Sequence, residues 1–157
     1  MPDHARLALE RFLPYRLSVL SNRISGSIAR AYSQRFDLGV TEWRVMAVLG
    51  RSPDLSANQV AQRTAMDKVA VSRAVARLLE SSRLLRSVDD DDRRRSVLRL
   101  SEAGYAIYDQ IVPLALGFEQ QLLGDMPADE RALLFRLLDR LDELELRVEA
   151  AGQTGDD

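Results

Sequence analysis

The spacing of apolar residues changes partway along the chain, and this change constrains the fold more than any other feature. In the first half, apolar residues recur every three or four positions, which is typical of amphipathic helices. Residues 84–88 and 96–100 instead alternate apolar and polar side chains, as strands do. The helical spacing then returns for the rest of the chain. The sequence therefore predicts a mainly α fold that contains one small β-hairpin.

Six helices are predicted from the apolar stripes and from the residues that begin or end helices. They are expected at about 14–36, 42–50, 56–63, 68–82, 101–123 and 127–150. Thr41, Asp67 and Ser101 stand before three of these helices, and Thr, Asp and Ser are favourable N-caps. Ser56 and Gln59 have the spacing of a capping box. Because only the loop of residues 64–66 and the cap Asp67 separate the third and fourth helices, the pair has the spacing of a helix-turn-helix.

The fourth helix is expected to have one buried face and one slim, basic face. The expected buried stripe is Val71, Ala74, Val75, Leu78 and Leu79. The opposite face carries Lys68, Val69, Ser72, Arg73, Ala76 and Arg77. A helix that enters the major groove of DNA needs small residues beside its contact residues, because the groove is only about 12 Å wide. The same pattern also suits an ordinary solvated amphipathic helix, so it requires support from elsewhere in the chain.

Two flanking segments give that support. Asn58 lies at the start of the third helix, where a polar side chain and free backbone N–H groups can bind phosphate. The hairpin tip contains four aspartates followed by Arg93, Arg94 and Arg95. An arginine at such a tip suits the negative potential of a minor groove, and all three arginines are counted as candidate DNA contacts. A solvated, self-neutralising run of charges is the alternative interpretation of the tip.

Charge is distributed unevenly, although the net charge is only −2. Residues 1–50 carry a net charge of +3, residues 51–99 carry +4, and residues 100–157 carry −9. Phosphate contacts are local, so a basic central segment is compatible with a polyanionic partner despite the acidic total.

Several classes of protein are disfavoured by composition. The chain contains no cysteine and one histidine, so we expect neither thiol redox chemistry nor a metal site. No nucleotide-binding or hydrolase motif is found, and we expect no cofactor and no enzymatic activity. No apolar run reaches the roughly 20 residues that span a bilayer, and no secretory leader is evident at the N-terminus. We therefore expect a cytoplasmic protein that does not associate with membranes.

Three segments resemble the MarR family of bacterial winged helix-turn-helix transcriptional regulators, and the resemblance covers residues 11–146. These segments are Thr41-Glu42-Trp43-Arg44-Val45, then Val71-Ser72-Arg73 with Leu78-Leu79-Glu80, and finally Asp92-Arg93-Arg94 followed by Leu100-Ser101-Glu102-Ala103-Gly104. The third is the most specific, because it is similar to the family's wing signature. Ser81-Ser82-Arg83 departs from the glycine with which many members end the recognition helix.

The resemblance implies one MarR-type domain over residues 1–157. Its DNA-binding winged helix would span about 41–100, and its dimerisation helices would span about 10–36 and 101–150. Each subunit of the homodimer would place its fourth helix in a major groove. Arg94 would enter the minor groove, with Asp92 orienting the wing. A twofold dimer predicts a pseudo-palindromic operator whose half-sites lie about one helical turn, roughly 10 base pairs, apart.

The family resemblance also implies a regulator, expected to be a repressor, that a small aromatic or anionic ligand releases from DNA. Arg16, Leu20, Trp43 and Met46 are candidates for the wall of a ligand pocket, although plain core packing or surface exposure also accounts for each of them. Two other functions stay open at this point. One is an acidic helical module that binds protein rather than DNA, and the other is a small enzyme with an unrecognised site.

Overall fold

The computed structural model of the chain describes residues 4–146. A short 3-10 helix at Leu9–Arg11 is followed by six α-helices and two strands. They are α1 (Leu13–Phe36), α2 (Val40–Arg51), α3 (Ala57–Thr64), α4 (Lys68–Glu80), β1 (Leu84–Val88), β2 (Ser96–Leu100), α5 (Glu102–Leu123) and α6 (Ala128–Asp142). The mainly α fold with one hairpin is therefore confirmed, and both strands begin and end at the predicted residues.

Three of the predicted helix starts are confirmed by their hydrogen bonds. The Ser56 hydroxyl accepts from the Gln59 backbone N–H at 3.2 Å, and the Gln59 side chain accepts from the Ser56 N–H at 3.0 Å. This is the capping box expected at α3. Asp67 caps α4 by accepting from the Ala70 N–H at 3.0 Å. Ser101 accepts from the Gly104 N–H at 3.0 Å at the start of α5.

The prediction that Thr41 caps α2 is wrong. The helix begins one residue earlier, at Val40, and Gly39 occupies the N-cap position with an extended backbone and no side chain to accept a hydrogen bond. Thr41 therefore lies inside the first turn. The Glu42 side chain in that turn supplies negative charge where the helix dipole favours it.

The predicted end of α6, near residue 150, is also wrong within the described residues. The helix ends at Asp142. The Leu144 N–H then donates at 3.2 Å to the carbonyl of Leu141, which is three residues earlier rather than the four of an α-helix. Asp142, Glu143 and Glu145 place negative charge at a helix C-terminus, where the helix dipole disfavours it. Val148 and the rest of the predicted helix lie outside the described residues.

The hairpin is antiparallel, and its register pairs Leu84 with Leu100 and Val88 with Ser96. An isolated bridge joins Leu55 to Leu98, with the Leu98 N–H donating to the Leu55 carbonyl at 2.8 Å. This bridge connects the hairpin to the loop between α2 and α3. The middle of β2 is thereby joined to the segment that leads into α3.

Proximity of Cα atoms divides the chain into two compact units, Met1–Phe118 and Glu119–Asp157, and α5 crosses the boundary. The hydrophobic core of the first unit lies among α2, α3, α4 and the hairpin, with Tyr32 of α1 and Ile111 of α5 also buried in it. Two close backbone approaches help to hold the unit together. A Cβ on Gly104 would lie 2.2 Å from the Arg83 carbonyl oxygen, and a Cβ on Gly50 would overlap the Tyr108 ring.

The second unit, over its described residues, contains the end of α5, a tight turn and α6. Gly124 adopts a positive φ of 47° in the turn, a conformation that glycine accommodates without a Cβ clash. Arg131 holds the turn by donating to the Met126 carbonyl at 2.9 Å and to the Gly124 carbonyl at 2.8 Å. Within residues 4–146, no helix combines the length and apolarity needed to span a bilayer.

Candidate nucleic-acid interface

The two faces of α4 differ in burial as the sequence predicts. Val71, Ala74, Val75 and Leu78 are buried in the core, and Leu79 is half-buried against it. The opposite face is exposed, and Val69 there leaves 55% of its surface uncovered. The exposed residues of this face are Lys68, Val69, Ser72, Arg73, Ala76 and Arg77. The stretch that was predicted to meet DNA is therefore available to a partner.

A shallow cavity of about 360 Å³ lies between the first turn of α3 and the exposed face of α4. It is lined by Ala57, Asn58, Ala61, Lys68, Val69, Ser72 and Arg73. The structure thus brings five predicted DNA-binding residues around one concave surface. This arrangement follows from the turn between the helices, where Ala65 adopts a left-handed φ of 51° and Asp67 immediately caps α4.

Arg77, the last basic residue on this face, is held by an ion pair that the sequence pattern does not predict. Its Nε lies 2.8 Å from Oε1 of Glu42 on α2. The Glu42 side chain is only 11% exposed, whereas the Arg77 side chain is 58% exposed. One edge of the guanidinium therefore neutralises a buried carboxylate, and the remaining N–H groups stay accessible. A carboxylate in a helix that is expected to be largely buried was the available signal, because a buried charge needs a partner.

A second polar contact, made by Arg44, links α2 to α1. Arg44 donates to the Ser25 hydroxyl at 2.7 Å, and its other terminal nitrogen lies 4.0 Å from the sulfur of Met66 in the helix-turn-helix turn. Burial raises the pKa of Tyr32 above its usual value of 10.0, while the nearby Arg44 charge lowers it and Glu42 raises it. The α1–α2 contact is therefore partly polar, which the apolar stripes did not predict.

Hydrogen bonds between side chains and the backbone order the tip of the hairpin. The Asp92 carboxylate accepts from the Arg94 N–H at 3.0 Å, and the Asp89 carboxylate accepts from the Asp91 N–H at 3.1 Å. Across the base of the loop, the Asp89 N–H donates to the Arg95 carbonyl at 2.8 Å. Arg93 and Arg94 are exposed, whereas Arg95 is half-buried. Through this hydrogen bond, the Asp92 side chain is in a position to orient the backbone of Arg94.

The end of α4 shows how the chain ends this helix without the glycine that the family resemblance implies there. Ser82 adopts a left-handed φ of 59°. The Ser82 N–H donates to the Leu79 carbonyl at 3.0 Å, and the Arg83 N–H donates to the Leu78 carbonyl at 2.8 Å. These two bonds form a Schellman motif with serine in the position that favours glycine.

The four candidate pocket residues are not gathered around one surface cavity. Arg16 and Leu20 line a cavity of about 580 Å³ along the first half of α1, and neither Trp43 nor Met46 lines it. Met46 is fully buried in the core. Trp43 is half-buried, with its ring 6.0 Å from that of Tyr32 and 5.9 Å from that of Tyr108. Within residues 4–146, no group of three or more His, Asp or Glu side chains is placed to hold a metal ion.

Comparison with known proteins gives consistent matches. A sequence profile of the MarR family matches residues 36–96. A MarR/EmrR family transcriptional regulator from Acinetobacter sp. ADP1 is 31% identical with a TM-score of 0.80, over 87% of this chain and 96% of that protein. The transcriptional repressor NicR of Pseudomonas putida is 29% identical over 83 residues, which are 53% of this chain and only 52% of NicR.

A further solved structure is similar in fold. BpsR of Bordetella bronchiseptica, whose DNA binding is regulated by 6-hydroxynicotinic acid, has a TM-score of 0.77 over 90% of this chain and all of that protein. It is 22% identical in sequence, so the likeness is one of fold.

Proposed function

The chain belongs to the MarR family of transcriptional regulators, and from this premise we propose that it binds double-stranded DNA as a homodimer and represses transcription until a small ligand releases it. The observation that carries the proposal is the exposed face of α4. It combines Lys68, Arg73 and Arg77 with small neighbours, on a helix whose other face is buried. Such a helix can enter a major groove without displacing any core residue.

We assign distinct contacts to the two ends of this surface. Lys68, Val69 and Ser72, in the first turns of α4, would approach base edges, as the N-terminal part of a recognition helix does. Arg73 and Arg77 would contact a base edge or flanking phosphates. Asn58 would bind phosphate from the first turn of α3, because its side chain lines the same concave surface.

The hairpin formed by β1, β2 and the tip between them would be the wing, and it would complete the interface from the side of the minor groove. Arg94 would enter that groove, with Asp92 holding its backbone through the 3.0 Å hydrogen bond. Arg93, which is also exposed, would contact the adjacent phosphates.

Homodimerisation is supported by apolar surface that the single chain leaves uncovered. On α1, Leu13, Leu17 and Leu20 are 51%, 43% and 52% exposed. In the second unit, α6 has a further set of exposed apolar side chains, namely Leu133, Leu134, Phe135, Leu137, Leu138 and Leu141. Contiguous exposed apolar side chains mark interaction surfaces. We propose that these helices pair with those of a second copy, so that residues 1–157 act as one MarR-type domain with dimerisation helices at about 10–36 and 101–150.

The effector part of the proposal rests on family membership and on the chemistry of α1. Arg16 and Leu20 line the α1 cavity, and Arg11 and Arg23 line it as well. Arginines beside apolar side chains suit an aromatic carboxylate. To release DNA, an effector must bind more tightly to a dimer whose recognition helices have the wrong spacing for DNA than to one with the right spacing. A ligand with equal affinity for both conformations would shift no equilibrium. We further propose a cytoplasmic protein that acts by binding and catalyses no reaction.

The proposal is tested by selecting duplex fragments of the source genome on the protein at moderate salt and measuring affinity for the selected fragment. Arg94→Ala should weaken that affinity. Analytical ultracentrifugation should show that the variant is still a dimer. Addition of 6-hydroxynicotinic acid, as a trial aromatic acid, should lower the affinity if the effector class is correct. Retention of no fragment, together with capture of a specific protein ligand, would favour an acidic interaction module instead.

A further inference from the structure

The three adjacent wing arginines differ in their surroundings. Arg93 and Arg94 are exposed, whereas 37% of the Arg95 side chain is exposed. One terminal nitrogen of Arg95 donates to Oε1 of Gln59 on α3. Its Nε lies 3.8 Å from Oδ2 of Asp89, and this buried nitrogen has no hydrogen-bond acceptor among the described residues. Arg95 therefore points back into the protein, toward α3 and the opposite side of its own loop.

The acceptor on α3 is itself fixed in place. Gln59 Oε1 also accepts from the Ser56 backbone N–H at 3.0 Å, as half of the capping box. Arg95 thus joins the wing to the first turn of α3 through a side chain that already has a defined conformation. The same turn carries Asn58, which lines the concave surface beside α4.

On the wing, Arg95 is linked to Asp89 twice. The Asp89 N–H donates to the Arg95 carbonyl at 2.8 Å, and the two side chains form the ion pair. A two-stranded hairpin is only marginally stable by itself, so its angle to the helices depends on its contacts with the rest of the protein. Two further ties lie along β2: the backbone bridge between Leu55 and Leu98 at the middle of the strand, and the ion pair of Arg99 with Asp54. Arg95 lies beyond both of them, at the tip end of β2.

We propose that Arg95 is a positioning residue rather than a DNA contact: through Gln59 and Asp89 it holds the wing at a fixed angle to α3, so that Arg94 and the α4 face meet one duplex together. This inference rests on the proposed DNA binding. It departs from the sequence-based expectation that all three arginines bind DNA. The sequence offers no distinction among them, because they are identical neighbours in one loop.

The two roles predict different dependence on salt. A side chain that neutralises a phosphate releases counterions, and its removal lowers the slope of log affinity against log salt by about 0.9. A positioning residue changes affinity without changing the number of phosphates neutralised. Arg95→Ala should therefore weaken binding roughly threefold to tenfold, the lower part of the range expected for coupled contacts, with an unchanged salt slope. Arg94→Ala and Arg93→Ala, which remove the same charge from exposed neighbours, are the matched controls.

A double-mutant cycle identifies the residue through which Arg95 acts. If it acts through Gln59, Arg95→Ala should cost little affinity in a Gln59→Ala background. Ser56→Ala controls for the capping box, because it removes the other half of the box and leaves the Gln59 amide in place. In the Ser56→Ala background, Arg95→Ala should keep its full effect. Asp89→Asn tests the other partner without disturbing Gln59, and it serves if Arg95→Ala fails to fold.

The outcomes separate this proposal from the proposed function. If the parent protein binds no duplex, the proposed function fails. If the parent binds and Arg93→Ala, which removes the proposed phosphate contact, lowers the slope, the proposed function stands. The role of Arg95 is then overturned by any of three results: its removal lowers the slope as much as removal of Arg93, its effect is undiminished in the Gln59→Ala background, or its removal leaves affinity unchanged.

Discussion

Arg77→Ala is expected to destabilise the protein, although Arg77 is an exposed residue on the proposed DNA-binding face. The substitution removes the partner of Glu42, whose carboxylate lies 2.8 Å from Arg77 Nε and is 11% exposed. Truncation of an exposed side chain ordinarily changes stability by less than about 0.5 kcal/mol. Here it leaves a carboxylate that is largely removed from water and has lost its neutralising charge.

The magnitude follows from the unequal burial of the pair. Breaking a fully buried ion pair costs about 3–5 kcal/mol, and breaking an exposed one costs about 0–1 kcal/mol. Because the Arg77 side chain is 58% exposed, solvent screens the pair, and we expect a loss of about 1–2 kcal/mol. Glu42→Gln leaves only the accessible guanidinium unpaired, so it should cost roughly 0.5 kcal/mol or less.

Urea unfolding at fixed protein concentration measures these differences, with the concentration held constant because dimers are stabilised by mass action. Arg73→Ala, one turn away on the same exposed face, is the matched control. Adding Glu42→Gln to Arg77→Ala should recover most of the lost stability. The reasoning is refuted if Arg77→Ala unfolds at the same urea concentration as Arg73→Ala, or if the double variant is no more stable than Arg77→Ala.

Three further predictions concern packing, backbone strain and pH. Gly104→Ala should lower the melting temperature by several degrees or prevent folding, since its Cβ would lie 2.2 Å from the Arg83 carbonyl oxygen; an unchanged melting temperature would contradict that close approach. Ser82→Gly should stabilise the protein by about 0.5–1 kcal/mol in chemical denaturation, because it relieves a left-handed φ of 59° at the end of α4; destabilisation would show that the serine side chain matters more than the strain. Because the pKa of Tyr32 is raised by burial, the stability that this group contributes is complete below the unfolded-state value of about 10 and is lost as pH rises through the folded-state value. Tyr32→Phe should therefore reduce the alkaline loss of stability in melts between pH 9 and 11, and equal losses in the two proteins would exclude Tyr32 as the cause.

Local sequence signals predicted most of the secondary structure. The alternation in residues 84–88 and 96–100 marked both strands, and the Ser56–Gln59 spacing marked the start of α3, because each signal depends on neighbouring residues alone. The Thr41 and α6 errors have a local cause as well. A good capping residue can lie one position inside a helix when the chain already turns before it, and acidic residues can end a helix whose apolar spacing continues.

The pairs that tie the site together could not be predicted in the same way. Glu42 with Arg77 and Gln59 with Arg95 join residues that are far apart in sequence, and helical or strand periodicity contains no information about such pairs. The exposed face of α4 was predictable because the buried stripe on one side of a helix determines what lies on the other. Which exposed arginines already have a partner within the chain became visible only in the folded protein.

The claim that two copies of α4 meet adjacent major grooves is tested most directly by a methylation-protection footprint on the selected operator, which reports access to guanine N7 in the major groove. We expect two protected patches about one helical turn, roughly 10 base pairs, apart on one side of the duplex. Arg73→Ala should weaken both patches equally. Protection of a single patch, or of two patches on opposite sides of the duplex, would contradict the paired recognition helices.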